Sequence, residues 1–162
     1  MILAFTGHRN LFNVDFIRAS LETLLLFYKP KRCVSGMAIG FDMLAAEAAL
    51  NHQIPLTAAI PFPGQRLRWK KDQQDRWAGI LSKADHVNVI SGGPYYPELL
   101  SRRNDWMVDF CDRVIACWCG APGGTRNCIE SAMEAGRPID LIDPSGNLVP
   151  DWYAGEVEYE RP

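Results

Sequence analysis

Residues able to bind or do chemistry cluster in five short segments, each directly after an apolar run. The segments are Thr6-Gly7-His8-Arg9, Ser35-Gly36-Met37-Ala38-Ile39-Gly40-Phe41-Asp42, Pro61-Phe62-Pro63-Gly64-Gln65, Ser91-Gly92-Gly93-Pro94-Tyr95-Tyr96 and Gly120-Ala121-Pro122-Gly123-Gly124-Thr125. Two of them have the composition of an anion cradle. Glycine lets the backbone approach a ligand, and a helix start offers free N–H groups. Ser35 to Gly40 leads into a helical pattern with two glycines, and Gly123-Gly124-Thr125 repeats the arrangement. The plain alternative for each is a tight turn with an ordinary cap. Thr125 either caps its helix or ligates a phosphate through its hydroxyl. Asp42, in a first helical turn, competes with phosphate for the same N–H groups. It is either a helix N-terminal partner or the holder of a ribose hydroxyl.

Arg103 stands out on physical grounds. Leu99, Leu100, Met107 and Phe110 form an apolar helical stripe, and Arg103 lies on it by i+3 and i+4 spacing. A buried guanidinium needs an anionic partner, either an internal carboxylate or a ligand phosphate. Arg102 and Asn104 flank it. His8 and Arg9 are placed to reach a phosphate or a base, although a lone histidine is equally at home in a structural role. Trp69, Tyr95, Tyr96 and Trp118 either stack on a base or fill core. Glu47 and Glu130 have the chemistry of general acid–base groups. Glu130 also suits an i,i+4 pair with Arg126.

The elements that must position these groups follow from the apolar pattern. Uncharged or nearly uncharged apolar runs at Ile2–Thr6, Arg32–Ser35, Pro55–Ile60, His86–Ile90, Arg113–Cys117 and Ile139–Ile142 read as strands. Helical spacing covers Val14–Tyr28, with Phe16, Leu21, Leu24, Leu25 and Tyr28 on one face and Pro30 as the stop. It also covers the alanine-rich Gly40–His52 and Gln65–Ala84, the latter with a break near Lys71. A helix from Pro97 to Cys111 uses Pro97 in its first turn. The last helix runs over Thr125–Ala135 and is closed by Gly136. Strand–helix alternation of this kind predicts a Rossmann-like three-layer α/β/α sandwich with a mainly parallel sheet of about six strands. Ligands of such sheets bind beyond the carboxyl ends of the strands, which is where all five polar segments fall. Residues 1–143 read as one domain, and 144–162 as an irregular tail packed on it or extending from it.

Composition narrows the classes. The chain has 162 residues, enough for one domain, and a formal net charge of -2, which speaks against a surface built around phosphate-backbone contacts. The cations of residues 29–32 and 66–71 read as solvated faces or local basic clusters. Five cysteines, an odd number with three in apolar runs, read as reduced thiols of a cytoplasmic protein. The opening residues read as the start of a strand rather than a secretory leader, and no apolar stretch is long enough to span a membrane. A phosphate-loop GxxxxGK[ST], a GxGxxG after the first strand, a CxxC pair, a zinc-ligand spacing and a GxSxG elbow are all missing. No metal or cofactor is called for.

Taken in order, TGHR at Thr6–Arg9, SGMAIGFDMLAAEAAL at Ser35–Leu50, PFPGQRLRW at Pro61–Trp69, RNDWMVDFCDRVIACW at Arg103–Trp118 and GGTRNCIESAMEAGRPI at Gly123–Ile139 resemble the SLOG superfamily, and within it the YspA/YoqJ-like proteins. The second block also resembles the DprA/Smf DNA-processing proteins of the same superfamily. The resemblance implies a Rossmann-like fold that binds nucleotides or related ligands. A further relative, the LOG group, cleaves the N-glycosidic bond of nucleoside monophosphates with an Arg and a Glu, the latter in PGGxGTxxE. Arg103 matches that Arg, each preceding a Met four residues on. Pro122-Gly123-Gly124-Thr125 looks like a shortened form of the glycine motif. The position three past Thr125 is Cys128 rather than Glu, and Glu130 lies two residues further on another helical face.

These readings converge on a protein that binds a nucleotide or nucleotide-derived small molecule as a sensor or processing factor. Expected ligand contacts are Thr6, Gly7, His8, Arg9, Ser35, Gly36, Met37, Ala38, Gly40, Asp42, Pro61, Phe62, Gln65, Asn104, Trp118, Gly120, Gly123, Gly124 and Thr125, with Arg103 on the phosphate. The first rival is a phosphoribohydrolase-like N-glycosidase using Arg103 with Glu47 or Glu130. The second is a single-stranded nucleic-acid binder in the manner of DprA/Smf, which the acidic net charge disfavours. Association into a homo-oligomer is compatible with the exposed aromatics.

Overall fold

A computed structural model describes residues 1–155. Its elements in chain order are β1 (Ile2–Gly7), α1 (Val14–Tyr28), β2 (Arg32–Ser35), α2 (Phe41–Asn51), β3 (Leu56–Ile60), α3 (Lys71–Lys83), β4 (His86–Val89), α4 (Glu98–Phe110), β5 (Arg113–Cys117), α5 (Gly124–Glu134), β6 (Ile139–Ile142) and β7 (Leu148–Tyr153). The strands form one sheet in the order β4-β3-β2-β1-β5-β6-β7. All pairings are parallel except β6 with β7.

This order has one consequence for function. The chain winds outward from β1 through β2 and β3 to β4, then returns to lay β5 on the other side of β1. Leu3 of β1 therefore pairs with Cys33 of β2 and with Arg113 of β5. Strand order reverses between β1 and β5, and the loops leaving these two strands part in opposite directions. Open α/β sheets hold their ligands in the crevice so formed.

Alternate β1 side chains point to opposite faces, which sets up two cores. Leu3 and Phe5 pack with Ile17, Leu21, Leu24 and Leu25 of α1, the buried face of α2, and Trp77 and Ile80 of α3. Ala4, Val34, Ala59, Val114 and Ala116 lie on the other face, against Met107 and Val108 of α4 and Cys128, Ile129 and Ala132 of α5. Three helices thus cover one side and two the other. Small residues at positions 4, 59 and 116 let α4 and α5 sit close to the sheet.

Four details depart from the periodicity reading. In α1 the buried position is Ile17, while Phe16 is exposed. The helix expected from Gln65 starts only at Lys71, and 61–69 is a run of turns. In α4 the ends of the predicted stripe, Leu100 and Phe110, are about 40% exposed (41% and 40%), while Leu99 and Met107 are buried as expected. The tail past Asp143 forms a seventh strand instead of irregular chain. β7 contains Pro150 and runs antiparallel to β6 with a register irregularity between Ile139 and Leu141. Asp151 sits there with φ 48. Residues 156–162 of the expected tail lie outside the described residues. No described helix is long and apolar enough to cross a membrane.

β7 is fastened by a charge network. Asp140 of β6 is fully buried, and its Oδ1 accepts from Arg113 Nη1 at 2.9 Å and from the Asp151 N–H at 2.7 Å. Arg113 also donates to Asp151 at 2.7 Å and lies over the Tyr28 ring. Removing one partner of such a buried pair leaves the other uncompensated. Asp140→Ala is expected to lower stability by about 3 kcal/mol. It should also speed amide exchange in β7 ahead of global unfolding. Equilibrium unfolding with native-state exchange measures both, and an unchanged β7 exchange rate would show that the network does not hold the strand.

Candidate functional site

The crevice between the β1 and β5 loops opens into a cavity of about 420 Å³. Thr6, Gly7, His8 and Arg9 come from the end of β1. Ala38 and Asp42 lie around the start of α2, and Phe62, Gln65 and Trp69 come from the turns after β3. Tyr95, Leu100, Arg103 and Asn104 come from the α4 side, and Ala121 to Thr125 from the loop into α5. Thirteen of the expected contact residues line this one space, counting Arg103.

The others do not. Glu47 is on the outer surface of α2 in a bidentate pair with Arg76. Glu130 pairs with Arg126 at 2.7 Å on an exposed face of α5. Neither carboxylate of the expected acid–base set reaches the cavity, because both helices turn those positions away from the sheet edge. Pro61 and Gly120 stay outside it, as does Trp118, whose indole N–H donates to the Ala121 carbonyl at 2.8 Å. Ser35, Gly36, Met37 and Gly40 lie beneath the cavity rather than in its wall. The spacing of Leu100 predicts a core position, yet it shares the cavity face with Arg103, three residues on. That i,i+3 relation to Arg103 was the available signal.

The two glycine loops turn out to be different objects. The Ser35–Gly40 loop has spent part of its N–H set internally. Met37 N–H donates to Ser35 Oγ at 3.1 Å, Ala38 N–H to Asp42 Oδ2 at 3.3 Å, and Phe41 N–H to the His8 carbonyl at 3.0 Å. Two of the N–H groups expected to cradle phosphate here, those of Met37 and Ala38, are therefore taken by the protein's own oxygens, while those of Ile39 and Gly40 make no hydrogen bond among the described residues. Gly36 is a seat for Arg103. A Cβ there would lie 2.6 Å from the guanidinium. The Gly36 carbonyl accepts from both Arg103 Nη1 and Gln65 Nε2. Gly40 has φ +90, and a Cβ on it would meet the His8 and Arg9 carbonyl oxygens at 2.3 and 2.4 Å.

The second loop is open. α5 begins at Gly124 with Gly123 as N-cap, no side chain caps it, and its first turn holds no acidic residue. Thr125 therefore is not a cap, and it lines the cavity instead. The leading N–H groups of a helix have no intrahelical acceptor. Asn104 Nδ2 steadies the loop by donating to the Gly124 carbonyl at 3.3 Å.

Arg103 is 7% exposed. Its Nε donates to Asn104 Oδ1 at 3.0 Å and its Nη1 to the Gly36 carbonyl. Among the described residues its Nη2 makes no hydrogen bond, although the side chain lines the cavity. Burial holds its pKa below the ordinary value, and Asp42 partly offsets this. Asp42 forms no ion pair with it within 4.0 Å among the described residues, so it acts across the cavity floor as a neighbouring charge. Burial pushes the Asp42 carboxyl up to about 6, against the opposing pull of Arg103, the Ala38 N–H and Arg9. His8 Nε2 accepts the Cys119 N–H at 2.8 Å, so that nitrogen is unprotonated, and burial lowers the pKa of the ring. His8 thus clamps the β5 loop while lining the cavity. Cys128, at the position of the LOG-type glutamate, is buried below the loop, with its thiol raised to about 11 by burial.

The Asp42 shift carries a pH signature. A carboxyl raised from 3.8 in the unfolded chain to about 6 in the fold binds its proton more tightly when folded. Its contribution to stability is therefore lost as pH rises from about 4 to about 6, a cost of about 3 kcal/mol above that window. Asp42→Asn is expected to gain on the wild type by up to that amount between pH 4 and pH 7 in parallel unfolding titrations. Superimposable pH profiles would mean that Asp42 ionises freely.

A parallel sheet that reverses its strand order beneath such a cavity defines a Rossmann-like α/β domain. The chain belongs to the YspA SLOG family, whose model matches residues 13–141. It is 29% identical over 152 residues to the uncharacterized SPbeta prophage-derived protein YoqJ of Bacillus subtilis, covering 83% of this chain and 89% of that one. Among solved structures it is similar to DNA processing protein A (DprA) of Streptococcus pneumoniae, with a TM-score of 0.65 and 26% identity over 86% of this chain and 49% of that chain. The molybdenum cofactor binding protein of Rippkaea orientalis shares the fold, with a TM-score of 0.58 and 18% identity over 88% of this chain and 76% of that one.

Proposed function

We propose that this cavity binds a nucleotide or nucleotide derivative, with the phosphate at the start of α5. The observation that carries the reading is the meeting of two unsatisfied donors. The uncapped, acid-free start of α5 and the free Nη2 of the buried Arg103 line the same space. A helix N-terminus and a guanidinium are both suited to a phosphate oxygen. Phe62, Trp69 and Tyr95 supply aromatic surface for a base, with Phe62 and Tyr95 already in contact at 5.2 Å between ring centroids. Asp42, the one carboxylate lining the cavity among the described residues, is suited to accepting ribose hydroxyls.

The glycosidase alternative has lost both of its expected carboxylates to surface ion pairs, so acid–base work would fall to Asp42 alone. The single-stranded nucleic-acid alternative keeps one support, the likeness to DprA.

A thermal-shift screen of the whole chain with AMP, GMP, CMP, ADP-ribose and NAD tests the proposal. A ligand at a hundredfold excess over its Kd adds about 2.7 kcal/mol, a rise of roughly 5 to 10 °C for a domain of this size. No rise with any phosphate-bearing nucleotide, at concentrations up to millimolar, would sink it.

A further inference from the structure

Beyond Arg9 and Trp69 the cavity continues into a surface groove of about 400 Å³. Its cations differ from their neighbours in one respect. Residues 66–71 hold four cations, and Arg9 lines the same groove. Arg66 is engaged, lying 5.0 Å from the centroid of the Trp77 ring. Lys71 is engaged with Asp75 at 3.0 Å. Arg9, Arg68 and Lys70 form no ion pair among the described residues, and these three are the ones that line the groove. The rest of its lining is Asn10, Ile39, Trp69 and Gln73, with no carboxylate among the described residues. Asp72, in the first turn of α3, is not part of it.

Three cations lining one concave surface without an ion-pair partner among the described residues repel each other, and an anion among them relieves that. In a chain of net charge -2 the grouping is not explained by a general excess of positive charge. Arg9 and Trp69 belong to both the groove and the main cavity, so a single ligand can occupy both.

We infer that the groove is a second anion subsite, and that the ligand is a small nucleotide carrying a second phosphate on the far side of Trp69 from the α5 cradle. This rests on the nucleotide reading of the cavity and narrows its ligand class. A nucleoside with one phosphate leaves Arg68 and Lys70 in water. A ligand with phosphates at both ends meets the α5 start and Arg103 with one of them, and Arg9, Arg68 and Lys70 with the other.

Isothermal titration of the full chain at low salt separates the possibilities. The probes are AMP, adenosine 3′,5′-bisphosphate, the 5′-phosphorylated dinucleotide pApA and a long oligothymidylate. The protein forms are the wild type and the double variant Arg68→Gln/Lys70→Gln, both of whose changes are at exposed positions. At least one of the two-phosphate compounds is expected to bind about tenfold more tightly than AMP. The double variant should erase that advantage and leave AMP affinity within about twofold. Which of the two gains more tells whether the second phosphate sits on the same nucleoside or the next. Equal binding of AMP and both two-phosphate compounds, or an advantage that survives the double variant, overturns the subsite while the cavity reading stands. An oligothymidylate that binds far more tightly than pApA, and loses this in the double variant, overturns the small-molecule assignment in favour of a nucleic-acid track. Failure of every probe overturns the cavity reading, and the subsite with it.

Discussion

Replacing Arg103 with methionine is expected to destabilise the protein by about 3 kcal/mol at pH 7 and by about 2 kcal/mol near pH 4, where only the hydrogen-bond part remains. The neutral-pH loss has two parts. The buried Gly36 carbonyl and Asn104 Oδ1 each lose a charged donor, at about 1–3 kcal/mol for a buried group left unsatisfied. Gln65 still donates to Gly36, which keeps that part at the low end. Asp42 also loses the cation that pulls its pKa down. Its carboxyl then rises further above about 6, so the cost of keeping it ionised grows at pH 7 and vanishes once it is protonated. Denaturant unfolding of Arg103→Met, Asp42→Asn and the double variant at both pH values gives the coupling directly. Additive effects at pH 7 would show that the two residues do not sense each other. Under the proposed function the same change also removes phosphate binding, which the thermal-shift screen reads separately.

Gly40→Ala is expected to be the most damaging single methyl in the chain. An L-residue at φ +90 is strained by about 1–2 kcal/mol. The added Cβ would also meet two backbone carbonyl oxygens, of His8 and Arg9, at 2.3 and 2.4 Å. Backbone atoms cannot swing aside as a side-chain tip can, so the β1 loop must move as a unit. That breaks the Phe41 N–H bond to the His8 carbonyl. A total of about 3–5 kcal/mol follows from strain plus overpacking, or a Tm lower by roughly 10 °C or more. The control is Gly92→Ala, where a Cβ meets nothing within 4 Å. Similar melting points for the two variants would refute the close approach.

Much of this architecture was legible in the residues. Five of the six parallel strands are legible because they are largely buried on both faces and read as nearly unbroken apolar runs, whereas β4 lies exposed at the sheet edge and is marked only by its short valine-bearing run. β7 is not legible, since Leu148–Tyr153 carries Pro150 and Asp151, which argue against a strand unless it lies at an edge. The start of α3 was misplaced because Gln65–Lys70 has helix-compatible composition. Its Gln65 is instead used as a bridge, donating to Gly36 and accepting from Trp77. Arg103 was found because a charge on an apolar stripe is a physical anomaly. The two glycine loops could not be told apart by composition, because what separates them is which N–H groups are already bonded. Glu47 and Glu130 entered through their chemistry alone, and helical phase put both in surface pairs.

The late departure of β7 from the parallel pattern bears on how the protein avoids sticking to itself. A strand at a sheet margin offers a row of unpaired amides on which another chain can assemble. Without β7, the outer margin of β6 would offer such a row, and β7 covers it. β7 in turn is a poor template. Pro150 supplies no amide hydrogen, and Asp151 twists the backbone into the left-handed region. The network of Asp140, Arg113 and Asp151 therefore does more than add stability. It keeps an aggregation-competent strand capped by one that cannot pass the pairing on.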